Sequence, residues 1–208
     1  MPKLELQLTI PNQLTLLRIV LTPVFVVFVL SSSSVLRQIS LIVFIVAALT
    51  DWYDGWIARK MGYVSQWGKF LDPLADKILS SAAFLCFVAL GLIDAWMVWI
   101  IIIRDFLITG LRAYAEYRER PVVTSRSAQT KTFSQFVVMY YLLILYVCRT
   151  IPSVYEEFGR WIDSLMQHDV LFGMMLLVTI MTVWTAIAYL IDNRKTLHDL
   201  YERVLLPR

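Results

Sequence analysis

The chain has 208 residues, of which 59% are apolar and 17% charged, with a mean hydropathy of +0.66. A globular domain is roughly 45–50% apolar and about 25% charged, so the composition excludes a disordered chain and argues against an ordinary soluble domain. The net charge of +3 is too small to indicate a nucleic-acid partner, and Cys86 and Cys148 lie inside apolar runs, where they read as small core residues.

Uncharged runs delimit six predicted helices, at about 11–31, 36–60, 67–91, 94–116, 130–150 and 170–191. About 20 apolar residues of helix cross the hydrocarbon core of a bilayer, and the uncharged run 170–191 meets that length by itself. Almost none of the six shows the polar face that a water-facing helix requires. The expected fold is therefore an all-α integral membrane protein, one domain over 1–208 with six spans. Of the 19 Lys and Arg, Arg37, Arg149 and Arg160 fall in segments on one side, while Arg18, Lys77 and Arg104 lie within spans. The remaining thirteen fall on the other side, which the positive-inside rule makes cytoplasmic, with both termini there. The start, Met1 to Glu5, lacks the pattern of a cleavable signal peptide. Residues 196–207 carry an amphipathic spacing that suits an interfacial helix or a solvated tail. His168, expected in an outer loop, and His198, in the tail, are poorly placed for catalysis.

Asp51, Asp54, Asp72 and Asp76 fall within the predicted spans. One charge at the bilayer centre costs roughly 2.5–3.5 kcal/mol, so four together must be paired, solvated in a cavity or holding cations. Asp51 and Asp54 are three apart and Asp72 and Asp76 four apart, so each pair shares one helix face. The short link between the two helices makes them antiparallel neighbours with converging cytoplasmic ends. Gly55 and Ala58 share the first face and Gly68 the second, leaving backbone open to a bulky ligand. Carboxylate oxygens suit hard divalent cations, which also bind substrate phosphates. The pattern thus predicts a polar, metal-containing cavity opening to the cytoplasmic side. Two other readings stay open: ion pairing of the four acids with Arg59, Lys60, Lys69 and Lys77, and a proton-relay or ion transporter. A transporter needs charge in both halves of the bilayer, whereas these acids sit toward one side.

The stretch Asp51-Trp-Tyr-Asp54-Gly55-Trp-Ile-Ala58-Arg59, then eight residues, Gly68, three residues, Asp72, three residues and Asp76 resembles the signature of the CDP-alcohol phosphotransferases at every position. The flanking runs Asn12-Gln-Leu-Thr15-Leu-Leu-Arg18, Leu71-Asp72-Pro73-Leu-Ala-Asp76-Lys77 and Arg104-Asp-Phe-Leu-Ile-Thr-Gly-Leu-Arg112 are similar to those of bacterial phosphatidylglycerophosphate synthases. The resemblance runs over roughly residues 10–135. It implies transfer of the phosphatidyl group of CDP-diacylglycerol to glycerol 3-phosphate with release of CMP, in the cytoplasmic membrane of a bacterium, by a homodimer. It also implies two Mg²⁺ or Mn²⁺ ions on Asp51, Asp54, Asp72 and Asp76, with Asp76 also the general base. Donor contacts would come from Gly55, Ala58, Arg59, Ser65 and Gly68. Arg104, Arg112 and Lys131 would meet the acceptor's phosphate; alternatively Arg104 pairs with a carboxylate and Arg112 anchors the membrane interface. One departure bears on the acceptor. The synthases usually show Gly-Lys-x-Lys-Thr before the fifth span, and here Ala128-Gln129-Thr130-Lys131-Thr132 keeps only the second Lys and the Thr. The acceptor thus stays open among glycerol 3-phosphate, the phosphatidylglycerol used by cardiolipin synthases, and an inositol phosphate.

Overall fold

The computed structural model describes residues 10–61, 66–117 and 126–194. Among these residues there are seven α-helices and no strand: α1 (Ile10–Val29), α2 (Ser34–Met61), α3 (Gln66–Ala89), α4 (Ala95–Tyr117), α5 (Arg126–Cys148), α6 (Pro152–Leu165) and α7 (His168–Asp192). Helices are the natural outcome for such apolar segments, because each satisfies its own backbone hydrogen bonds without water. Six of the seven lie within a few residues of the expected bounds.

Among the described residues three stretches are long and apolar enough to cross a membrane: Asn12–Val29, Thr130–Cys148 and His168–Asp192. The apolar part of α2, Ser34–Thr50, is shorter. Helices α3 and α4 have 24 and 23 residues, but charges interrupt them: Asp72, Asp76 and Lys77 in α3, Arg104, Asp105 and Arg112 in α4. Six long helices stand where six spans were expected, and among the described residues three of them have the apolarity of a span.

The core joins α1 to α5 and α7 through side chains such as Phe25, Phe44, Phe84, Met97, Leu142 and Met175. Its outside is equally apolar: Val27, Ile42, Ile103, Leu177, Ile180 and Trp184 are all exposed. Exposed large apolar side chains on this scale, together with helices apolar enough to cross a bilayer, mark the chain as a membrane protein. Helix α1 packs against both α2 and α3, and α2 and α3 each also touch α5. Helices α4 and α5 both pack on α7. The link between α2 and α3, residues 62–65, lies outside the described residues.

The turn from α3 to α4 is closed by Gly91 at φ +70°. Its N–H donates to Val88 O at 2.9 Å, and that of Leu92 donates to Phe87 O at 3.0 Å, a pairing that caps a helix through a left-handed residue. This reversal lays α4 back along α3 and fixes the level at which their charges meet.

Helix α6 was not anticipated, because Glu156, Glu157, Arg160 and Asp163 interrupt every apolar run there. Pro152 opens it in the first turn, where a missing N–H is harmless. Tyr155, Phe158, Ile162 and Leu165 then recur at helical spacing, with Glu156 and Arg160 on the opposite side. Ile162 is buried, whereas Phe158, Trp161 and Leu165 are exposed. Tyr141 Oη donates to Leu165 O at 2.8 Å, which ties the end of α6 to α5. His168 accordingly begins α7 and does not sit in a loop. Of the cysteines, Cys86 is in the core and Cys148 is half-buried. The tail 196–207, His198 and the N-terminal residues 1–9 lie outside the described residues.

Candidate active site

Helix α3 carries two carboxylates of the signature, Asp72 and Asp76, four apart on one face, and both are half-buried. Helix α1 packs on α3 and carries Asn12, Thr15 and Arg18, all buried and spaced three apart. The Thr15 hydroxyl donates to Asp72 Oδ1. Arg18, with no exposed surface, lies within electrostatic reach of the same carboxylate. The head of α1 thus orients Asp72 and supplies a nearby positive charge.

One residue beyond Asp76, Lys77 turns toward a second cluster. Its Nζ stands 3.4 Å from Asp76 Oδ2 and 3.7 Å from Asp105 Oδ2. Asp105, in mid-α4, is 2% exposed. Its Oδ1 accepts from Lys131 Nζ of α5 at 2.5 Å and from Arg104 Nη1 at 3.0 Å. Arg104 also donates from Nη2 to Thr185 Oγ1 of α7 at 2.9 Å. Lys131 is fully buried. The cluster therefore joins α3, α4, α5 and α7, with three cations around two carboxylates. Beside it, a crevice too tight for a water molecule runs between α3 and α5, lined by Lys77, Ser80, Thr132 and Gln135.

The structure brings Arg104 and Lys131 together, both on Asp105, so Arg104 does pair with a carboxylate. Arg112 is exposed and stands apart, beside the Tyr189 hydroxyl of α7. Of the ion pairs weighed for the four acids, one is seen among the described residues, Lys77 with Asp76. Asp51, Asp54, Gly55, Ala58 and Arg59 occupy the last turns of α2 and Gly68 the first turn of α3; their side chains, and Ser65 altogether, lie outside the description.

Sequence reasoning gave no role to Thr15, Arg18 or Asp105. The signal for Asp105 was available, since an acid in mid-span is as expensive as the four singled out. It was masked by its neighbour Arg104, which cancels it in a count of charges along the chain; in the folded protein Asp105 also draws in two lysines.

The donor set fits hard divalent cations. Asp72 and Asp76 offer carboxylate oxygens from one face, and the Thr15 hydroxyl fixes the orientation of Asp72, as outer partners of ligating carboxylates do. Among the described residues no group of three or more His, Cys, Asp and Glu gathers, so a full set would need Asp51 and Asp54 of α2.

A helical membrane protein with paired acids beside a buried cation cluster is the setting for chemistry on a phosphate ester. The chain belongs to the CDP-alcohol phosphatidyltransferase family, which it matches over residues 8–189, and is thereby a transferase. Among named relatives, the CDP-diacylglycerol–glycerol-3-phosphate 3-phosphatidyltransferase of Bacillus subtilis is 40% identical over 147 residues, 65% of this chain and 76% of the relative. The protein of that name from Salmonella typhimurium is 30% identical over 200 residues, covering 93% of this chain and all of its own length. That from Rickettsia felis is 34% identical over 135 residues, 65% of this chain and 75% of the relative.

Proposed function

We propose that this protein transfers the phosphatidyl group of CDP-diacylglycerol to glycerol 3-phosphate, releasing CMP, at the cytoplasmic face of a bacterial cytoplasmic membrane. The observation that carries this reading is the contiguity of two sites. Lys77 touches both Asp76, in the signature, and Asp105, around which Arg104 and Lys131 gather. A donor pyrophosphate at the signature acids and an acceptor phosphate at the cations would place the reacting groups side by side, and proximity of this kind supplies much of an enzyme's rate. The relatives' shared name supports glycerol 3-phosphate as acceptor.

Asp51, Asp54, Asp72 and Asp76 would hold two divalent ions, Mg²⁺ or Mn²⁺, which when bound neutralise the pyrophosphate and stabilise charge on the attacking and leaving oxygens. Asp76 would take the proton of the acceptor hydroxyl, a role that needs hydrogen-bond reach of that oxygen. The hydroxyl oxygen then bonds to the phosphatidyl phosphorus, the pyrophosphate P–O bond breaks, and CMP leaves with the electron pair. Gly55, Ala58 and Gly68 would leave space for the cytidine, and Arg59 and Ser65 would hold donor phosphate. Arg104 and Lys131 would meet the acceptor's phosphate, whereas Arg112, apart from them beside Tyr189, would not. Both termini are assigned to the cytoplasm on the distribution of Lys and Arg, the six long helices to spans around a polar cavity open to that side, and the working unit to a homodimer.

An acceptor panel tests the reading. Purified protein is given labelled CDP-diacylglycerol with Mg²⁺ and, in turn, glycerol 3-phosphate, phosphatidylglycerol, inositol phosphate or serine. CMP release and a phosphorylated lipid product are expected with glycerol 3-phosphate. Product with phosphatidylglycerol alone would reassign the enzyme to cardiolipin synthesis, and no CMP with any acceptor would end the transferase reading of this site.

A further inference from the structure

We propose that Asp105 is the positioning residue of the acceptor site: it gathers Lys77, Arg104 and Lys131 into one constellation before the acceptor arrives and so sets the affinity for its phosphate. The inference rests on the reading of Arg104 and Lys131 as acceptor contacts. Three cations from three helices converge on one carboxylate that is 2% exposed, with Oδ1 serving Lys131 and Arg104 and Oδ2 facing Lys77. Neutralising the fully buried Lys131 would need only one acid and one lysine. Here a single acid draws in two further cations, which would otherwise repel one another in a poorly solvated interior. Counting Asp76, three positive charges face two negative ones, leaving a surplus of one cation; with Asp76 engaged in metal binding the surplus is two. That matches an incoming phosphate monoester, a dianion near neutral pH. Arg104 keeps a further anchor on Thr185, so its guanidinium is fixed in plane as well as in place. Cations already assembled need not be collected at the moment of binding, and the affinity gained by such preorganisation falls on the acceptor alone.

The test uses full-length protein in lipid micelles, with KM measured separately for glycerol 3-phosphate and CDP-diacylglycerol. Asp105→Asn is expected to raise KM for glycerol 3-phosphate by about tenfold or more, as displaced binding groups do, while KM for CDP-diacylglycerol stays within about twofold. Asp105→Glu restores much of the loss, because it returns the charge to the same three partners. In the double variant Asp105→Asn/Lys131→Met, KM for the acceptor rises above that of Lys131→Met alone, through Arg104 and Lys77, but stays well below the product of the two single effects, because part of what Asp105 does passes through that lysine. This double variant removes one charge of each sign; if Asp105→Asn by itself fails to fold, an acceptor KM above that of Lys131→Met with an unchanged donor KM supports the role, and equality with Lys131→Met overturns it. Equal rises in both KM values, no rise in either, or a double variant showing the full product of the two single effects would overturn the positioning role. Unchanged acceptor KM in both Arg104→Ala and Lys131→Met would instead remove the acceptor site on which the inference rests.

Discussion

Replacing Thr15 by Val removes one hydroxyl and nearly preserves shape at a position with no exposed surface. The hydroxyl donates to Asp72 Oδ1, and burial leaves little room for a water molecule to take its place. A hydrogen bond to a charged group contributes about 1.5–3 kcal/mol, and at about 1.4 kcal/mol per tenfold change its loss weakens a bound divalent ion by roughly 10–150-fold. That agrees with the roughly 10–100-fold cost of removing partners that orient metal-ligating side chains. The assay is CMP release against Mg²⁺ concentration. The wild-type enzyme is expected to fall to background in chelator and to recover with added metal. The Thr15→Val curve is expected to shift to higher Mg²⁺ by about 10–100-fold and to approach the wild-type rate at saturation, while Thr15→Ser, which keeps the hydroxyl, follows the wild type. A Val variant whose curve overlays the wild type would refute both the orienting role of Thr15 and the assignment of Asp72 as a ligand.

Two further outcomes follow from the same geometry. Asp76→Asn should cut kcat by about 10²–10⁴-fold, the usual worth of a general base, with the fold intact by thermal melt; full turnover in a folded variant would reassign the base. In α6, a nitroxide placed at position 158, on the apolar stripe, is expected to be relaxed by oxygen dissolved in the bilayer, and one at 160, on the charged side, by a water-soluble nickel complex. Equal exposure of both sites to the nickel complex would mean that α6 stands clear of the membrane.

Much of the helical layout was legible because apolar runs and helices coincide when the solvent is lipid: a run such as 170–191 has no alternative way to satisfy its backbone. Helix α6 escaped the same reading because its evidence was periodicity, with Phe158, Ile162 and Leu165 set among four charges, and a search for uncharged runs passes over that pattern. The signature acids were legible for the opposite reason, as charges too expensive to leave without a purpose.

The partners of those charges were another matter. Spacing along one helix placed Asp72 and Asp76 on a common face, since three to four residues make one turn. Nothing in that arithmetic says that α1 presents Thr15 to Asp72, or that α4, α5 and α3 deliver Arg104, Lys131 and Lys77 to one carboxylate. Sequence alone determined the solvent and six of the seven described helices and marked the signature acids, because hydropathy and helical pitch are local properties. Tertiary structure decided which opposite charges share a pocket, because Coulomb energy depends on distance through space, and residues 77, 105 and 131 become neighbours only once their helices have packed.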